Sequence, residues 1–269
     1  MNFSNETFVI VGGAAGIGAA IARKVAAQGA SVIVCDISEI NLSRICEEIS
    51  TSGGTVAGYK MDVGSDESTR NICEEIFEAH GSPDHLIITV VDYSRTLGEI
   101  SDISASHWKA AFEVNFFGYI RILENFIPRM QNNGKGVITI TSSTLAVLPD
   151  RSMPIHIPYS TLKHALFGLA TAMSVAFNST KQPIRVISFC PSATATENAI
   201  SGVAGTKFSH LQGAIAQGAT ADSVADTFIE KIKDDEFLIC THPNYATDIV
   251  ELAKTKLNPL RFINRNQTS

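Results

Sequence analysis

The stretch Thr7–Asp36, TFVIVGGAAGIGAAIARKVAAQGASVIVCD, decides the fold. It opens on a short apolar run, Phe8-Val9-Ile10-Val11, with the length and composition of a buried strand. Glycines follow at Gly12, Gly13, Gly16 and Gly18. A helical pattern then sets in, with Ile17, Ile21 and Val25 on one face and Ala20 and Ala22 between them. A second apolar run, Val32-Ile33-Val34-Cys35, ends at Asp36. Strand, glycine turn, helix, and a strand closed by a carboxylate are the context a dinucleotide-binding turn requires. Glycine lets the backbone approach a pyrophosphate, and the helix N-terminus offers unpaired N–H groups and the positive end of a dipole. Asp36, 20 residues past Gly16, stands where a carboxylate accepts hydrogen bonds from both hydroxyls of an adenosine ribose. A 2′-phosphate there meets charge repulsion, and no Arg or Lys occupies 12–15 or 37–40 to offset it. The cofactor expected is therefore NAD rather than NADP. A turn that merely packs helix on strand is the alternative, and the acid in register argues against it.

The chain has 269 residues, 45% hydrophobic and 18% charged, which suits one sizeable α/β domain spanning 1–269. A net charge of −6, with no basic run, argues against a nucleic-acid partner. No apolar stretch approaches the ~18 residues of a membrane span, and the N-terminus MNFSNETF lacks the apolar core of a signal peptide. Five scattered cysteines (Cys35, Cys46, Cys73, Cys190, Cys240) without C-x-x-C spacing fit a reduced, cytoplasmic setting and no metal site. Cys190 flanks a candidate cofactor segment, and a buried structural thiol is its plainer role.

Apolar runs alternate with helical patterns throughout, without linker or repeat, so the fold class expected is α/β: a Rossmann-type, doubly wound parallel sheet with helices on both faces. Helices are expected at 39–50, 66–79, 159–178, 221–233 and 244–257, with one long helix at 105–127. Strands are expected at 55–60, 85–91, 136–143, 184–189 and 236–241. The long helix carries Trp108, Phe112, Phe116, Ile120, Leu123 and Phe126, more aromatic surface than one helix face usually buries in its own core. Asn115, a poor helix former, sits in its middle. Residues 244–269 are read as helix and tail: 244–257 as a surface helix that covers the pocket or a subunit neighbour, and the basic residues at its end and beyond (Lys254, Lys256, Arg261, Arg265) as a tail whose default is solvation.

The chemistry gathers later in the chain. Tyr159 and Lys163 are four residues apart, so on a helix they share one face. Hydride transfer at a carbon bearing oxygen needs a matched proton transfer at that oxygen, and a phenol near its ordinary pKa of ~10 is a poor base at neutral pH. An adjacent ammonium favours the phenolate. Gly136–Ser143 is an apolar run ending in hydroxyls.

With its G-x-x-x-G-x-G turn at Gly12, Gly16 and Gly18, its Ser-Ser strand end and its Y-x-x-x-K helix, the chain resembles the short-chain dehydrogenase/reductase family over nearly its whole length. The resemblance implies that Gly12, Gly16, Ile17 and Gly18 cradle the cofactor. It makes Asp62 and Val63 the adenine contacts, although Asp62 also reads as an N-cap or turn residue. Asn115 would stabilise a kink and hold a water beside Lys163. Ser143 would polarise the substrate oxygen, with Ser142 and Thr144 as lesser stand-ins, and Tyr159 would be the general acid/base. Lys163 would hold the ribose hydroxyls; Pro191, Ala193 and Thr196 would bind the nicotinamide carboxamide. Residues 197–219 would close over the substrate, and the aromatic helix would pair in a homodimer or homotetramer.

Four departures from the family pattern stand out. Val11 replaces a Thr that hydrogen-bonds within the turn. Ile88-Thr89-Val90-Val91 replaces Asn-Asn-Ala-Gly, and two valines there narrow the space beside the cofactor unless the strand end shifts. Ser192 replaces a Gly, where backbone strain is expected. Ser143 and Tyr159 lie 16 residues apart, with the surplus in the proline-rich segment Leu148–Pro158.

The expectation is an NAD-dependent oxidoreductase that interconverts a hydrophobic secondary alcohol and its ketone, with oxidation as the working direction. An NADPH-dependent carbonyl reductase and a non-catalytic dinucleotide-binding protein are the rivals. The intact Tyr159–Lys163 pair argues against the latter.

Overall fold

A computed structural model describes residues 2–265. Its centre is a seven-stranded sheet in the order β3-β2-β1-β4-β5-β6-β9. The strands are β1 (Thr7–Val11), β2 (Ser31–Asp36), β3 (Thr55–Lys60), β4 (His85–Ile88), β5 (Gly136–Thr141), β6 (Ile184–Cys190) and, at the far edge, β9 (Leu238–Cys240). The short strands β7 (Thr194–Ala195) and β8 (Ala219–Thr220) pair with each other outside the main sheet. Every pairing in the main sheet is parallel.

The near-continuous apolar runs follow from burial on both faces. Phe8 and Ile10 of β1 point into one core with Ala20, Ile21 and Val25 of α1 (Gly16–Ala26), Ile45 of α2 (Glu39–Thr51) and Phe228 of α9 (Ala221–Lys231). Val9 and Val11 point into the opposite core. There they meet Ile76 of α3 (Asp66–His80), Tyr119, Leu123 and Phe126 of α5 (Gly118–Asn132), and Leu166 of α6 (Ile157–Ser179). Order reverses at β1, which lies between β2 and β4, and a crevice opens there at the carboxyl ends of the strands.

The expected elements are present, with three corrections. The strand placed at 85–91 ends at Ile88, and Thr89 onward leaves the sheet. The single helix placed at 105–127 is two, α4 (Ala105–Phe112) and α5, joined by a wide π-type turn at Glu113–Phe117. That turn centres on Asn115, and α5 runs on through Pro128 to Asn132. The helix placed at 244–257 stops at Lys254 (α10, Tyr245–Lys254), where Lys256 and Leu257 take positive φ. Another helix, α11 (Pro259–Arg265), follows. It walls a cleft of about 500 Å³ against Met153, Pro154 and Ile157, so the C-terminal helices lean on the proline-rich segment. Of the basic tail, Lys254 pairs with Glu251 at 2.6 Å; the Arg265 side chain and residues 266–269 lie outside the described residues.

Of the aromatic stripe, Leu123 and Phe126 are core, whereas Trp108, Phe112 and Phe116 form a half-buried ladder with ring centroids 6.2 and 5.9 Å apart. The segment at 197–219 carries α7 (Glu197–Val203) and α8 (Gln212–Ala216), with Val203 and Phe208 buried. Among the described residues no helix is long and apolar enough to cross a membrane, and no cluster of three metal-binding side chains occurs. All five cysteines are free.

Candidate active site

The glycine turn is built by close approach. Gly12 has φ +79° and donates to the Cys35 carbonyl at 2.8 Å. A side chain on Gly18 would stand 2.3 Å from the Gly12 carbonyl oxygen, so only glycine lets α1 begin there. Ile17 packs its side chain against the α1-side core. Where α2, α3, α4, α7 and α9 each begin with a Ser or Thr side-chain cap, α1 begins at Ala15 with none and has no acid in its first turn. Its first N–H groups are left to whatever binds there.

The hydroxyl lost at Val11 is supplied from just past the end of β4. Thr89 Oγ1 donates to the Gly12 carbonyl at 2.9 Å and lies 3.1 Å from that of Val11. Thr89 is thus a turn-forming residue that the sequence reading passed over; the missing hydroxyl at Val11 was the signal for it. Val90 packs into the core beside Val11, and its carbonyl accepts from Tyr119 Oη at 3.0 Å.

Asp36 lies half-buried at the end of β2. One carboxylate oxygen accepts from Ala14 N at 3.1 Å and the other from Ser38 N at 3.1 Å, which ties the acid to the glycine turn. The nearby cation Lys60 is held by Glu39 at 3.0 Å. Asp62 forms a turn, accepting from Gly64 N at 2.8 Å, while Ser65 caps α3. Val63 is buried and abuts Gly118, where an added Cβ would come within 2.8 Å of it.

On the other side of the crevice, β5 and α6 set the chemical groups. Lys163 is buried on α6. Its ammonium donates to the Thr141 carbonyl at 2.9 Å and lies 5.6 Å from the Tyr159 ring centroid. Burial draws its pKa down to about 8. Burial pushes the Tyr159 phenol above its ordinary value, and the Ser143 hydroxyl facing it works in the opposite direction. Ser143 Oγ also accepts from Leu145 N at 3.2 Å, which fixes its place at the strand end. Of the stand-ins, Ser142 Oγ donates to the Lys163 carbonyl at 2.6 Å, and Thr144 Oγ1 donates to the Pro191 carbonyl at 3.0 Å. Both hydroxyls are engaged in holding backbone.

Asn115 is buried where the wide turn frees its side chain. Its Nδ2 donates to the Ala111 carbonyl at 2.9 Å and the Asp92 carbonyl at 3.2 Å, and its Oδ1 accepts from Asp92 N at 2.8 Å. It therefore clamps the loop after β4. Directly beyond that clamp, Tyr93 lies 6.1 Å from the Tyr159 ring at an interplanar angle of 17°. The sequence reading did not single out Tyr93; an aromatic just past a strand end was its trace.

The loop after β6 completes the site. The Pro191 carbonyl is anchored by Thr144, and the Ala193 carbonyl accepts from Ala219 N at 2.9 Å. Ser192 is absent from the positive-φ residues among those described. The strain expected there does not occur, and its hydroxyl lies 3.0 Å from Thr241 Oγ1. Thr196 caps α7 through Ala199 N at 3.2 Å and meets Gly16, where an added Cβ would lie 3.2 Å from its methyl group. Thr196 and Gly16, 180 residues apart, thus touch across the crevice.

Comparisons with known proteins agree with this architecture. A family model described as short chain dehydrogenase matches residues 6–205. An uncharacterized oxidoreductase, YvrD, of Bacillus subtilis (strain 168) is 31% identical over 94% of this chain and 91% of its own length. Dehydrogenase/reductase SDR family member 7B of Danio rerio is 29% identical over 86% of this chain and 75% of its own. Among solved structures, a short chain dehydrogenase/reductase from Burkholderia phymatum in complex with NAD superposes with a TM-score of 0.84 at 24% identity. That superposition covers 96% of this chain and 98% of the other. The glycine turn, the parallel sheet and the extent of these matches make the chain a member of the short-chain dehydrogenase family of oxidoreductases.

Proposed function

We propose that this protein is an NAD-dependent oxidoreductase that interconverts a hydrophobic secondary alcohol and its ketone. The observation that carries this is the buried ammonium of Lys163, 5.6 Å from the centre of the Tyr159 ring, with the Ser143 hydroxyl acting on the same phenol. The residues of the crevice fit a nicotinamide dinucleotide. The uncapped start of α1 suits a diphosphate. The buried ammonium of Lys163 has one protein acceptor in Thr141 and donors left for ribose hydroxyls. Asp36, with the nearby Lys60 engaged by Glu39, favours an unphosphorylated ribose. Ile17, Asp62, Val63, Pro191, Ala193 and Thr196 complete the cofactor-binding set.

When bound, the dinucleotide supplies the two-electron acceptor for the carbinol carbon. The protein handles the proton. Ser143 donates a hydrogen bond to the substrate oxygen and holds it against Tyr159. The phenolate of Tyr159 takes the hydroxyl proton in oxidation, and the phenol returns it to the carbonyl oxygen in reduction. Lys163 favours the phenolate by its charge and keeps the ribose end in place. The covering segment brings little charge inward: Lys207 turns out to Asp102 and to Glu99, which supports an apolar substrate.

Assays of hydrophobic secondary alcohols with NAD and with NADP test the reading, alongside Tyr159→Phe. Loss of turnover by about 10²–10⁴-fold with NADH binding retained is the expected result. Undiminished oxidation by Tyr159→Phe overturns the mechanism, and tighter binding of NADPH than NADH overturns the cofactor assignment.

A further inference from the structure

Tyr159 is not the only phenol in the crevice. Tyr93 lies nearly parallel to it at 6.1 Å, in the first turn after the loop that Asn115 clamps through both backbone groups of Asp92. Asp92 Oδ1 accepts from Ser94 N at 2.9 Å and caps that turn, so the Tyr93 backbone is held from both sides. From above, α7 presses on it: a Cβ on Gly202 would stand 2.6 Å from Tyr93 Cβ. A residue pinned by a clamp below and a glycine contact above has little room to move.

We infer that Tyr93 is a positioning residue for proton transfer, its hydroxyl donating a hydrogen bond to the Tyr159 oxygen as the phenolate forms. This rests on the proposed role of Tyr159. No covalent bond changes at Tyr93; it keeps its own proton and orients that of its neighbour. The two phenols influence each other in the direction this requires, the hydroxyl of Tyr93 favouring ionisation of Tyr159 while its own is pushed further up. Of the other groups around Tyr159, the Ser143 hydroxyl also favours its ionisation. Lys163 and His156 flank the ring at 5.6 and 6.1 Å. Cys190 of β6 opposes ionisation, and the phenol of Tyr119 on α5 is itself held protonated by burial. The Tyr119 hydroxyl is committed to the Val90 carbonyl and the Cys190 thiol is held up by burial, so neither replaces Tyr93 as donor.

Tyr93→Phe removes the hydroxyl and keeps the stacked ring. With tyrosine ring carbons labelled for NMR, the Tyr159 resonance is followed across pH in wild type and variant, and alcohol oxidation is measured over the same range. The expected result is a shift of the Tyr159 transition upward by about one pH unit. Oxidation below that transition should fall about tenfold, with thermal stability and NADH affinity unchanged. An unmoved transition and an unmoved rate profile overturn the inference. So does an effect seen in Tyr93→Leu but not in Tyr93→Phe, which reduces Tyr93 to a packing residue. The NMR titration needs no turnover, so failure of the oxidoreductase reading shows separately, as activity that survives Tyr159→Phe.

Discussion

Lys163 donates to the carbonyl of Thr141 at 2.9 Å, and no carboxylate contributes to the charge balance of this buried ammonium. The hydroxyl of Tyr119 reaches the same carbonyl at 3.4 Å. A cation held by one neutral acceptor is a cost to the fold that only function repays. Lys163→Met should therefore abolish turnover and raise stability. The ordinary pKa of 10.5 applies to the unfolded chain and about 8 to the folded one. Below pH 8 the charge is present in both states and the whole burial cost stands. Between pH 8 and 10.5 the folded protein has released a proton that the unfolded chain still binds, so the cost fades. Thermal unfolding should show Met stabilised by about 2 kcal/mol near neutrality, with the gap closing toward pH 10. A lower Tm for Met at pH 7 contradicts this.

Oxidation and reduction should depend on pH in opposite ways. Burial holds the Tyr159 phenol above its ordinary value, so near neutrality it is a proton donor. Alcohol oxidation, which needs the phenolate, should climb about tenfold per pH unit up to the transition. Ketone reduction should stay level and fall only beyond it. Initial rates in both directions across pH 6–10 decide the matter; an oxidation rate flat over pH 6–9 counts against Tyr159 as the base.

Thr89→Val keeps the shape of the side chain and removes the hydroxyl bonded to the Gly12 carbonyl. The glycine turn should loosen, with dinucleotide affinity weaker by about tenfold and stability lower by about 1 kcal/mol. Fluorescence titration with NADH and a denaturant melt read the two effects. Unaltered affinity removes Thr89 from the turn's design.

Asp36→Ala withdraws the acceptors of Ala14 N and Ser38 N along with the charge. NADH affinity should fall about tenfold, and the disadvantage of NADPH should shrink, since repulsion of a 2′-phosphate goes with the carboxylate. Parallel titrations with both nucleotides give the ratio. A ratio that does not move places the discrimination elsewhere.

Periodicity carried most of this architecture. The alternation of Phe8 and Ile10 with Val9 and Val11 already divides the two cores, and α2, β3 and α3 lie where their local patterns put them. Contacts between distant residues were not legible. The break at Asn115 is stabilised by Asp92 from another segment, and the hydroxyl of Thr89, just past the end of β4, serves a turn more than 70 residues away in the chain. In the candidate site, the helical spacing of Tyr159 and Lys163 was readable. The Thr141 carbonyl that receives the ammonium was not, since a backbone oxygen has no identity in sequence. Tyr93 escaped for a related reason: its partner is defined only once α6 lies beside the loop after β4.

The contact of Thr196 with Gly16 acts as a buckle across the crevice. The same threonine spends its hydroxyl on the first turn of α7 and its methyl group on the turn where α1 begins. One side chain thereby ties the covering segment to the glycine turn, and a change at residue 196 is felt at both.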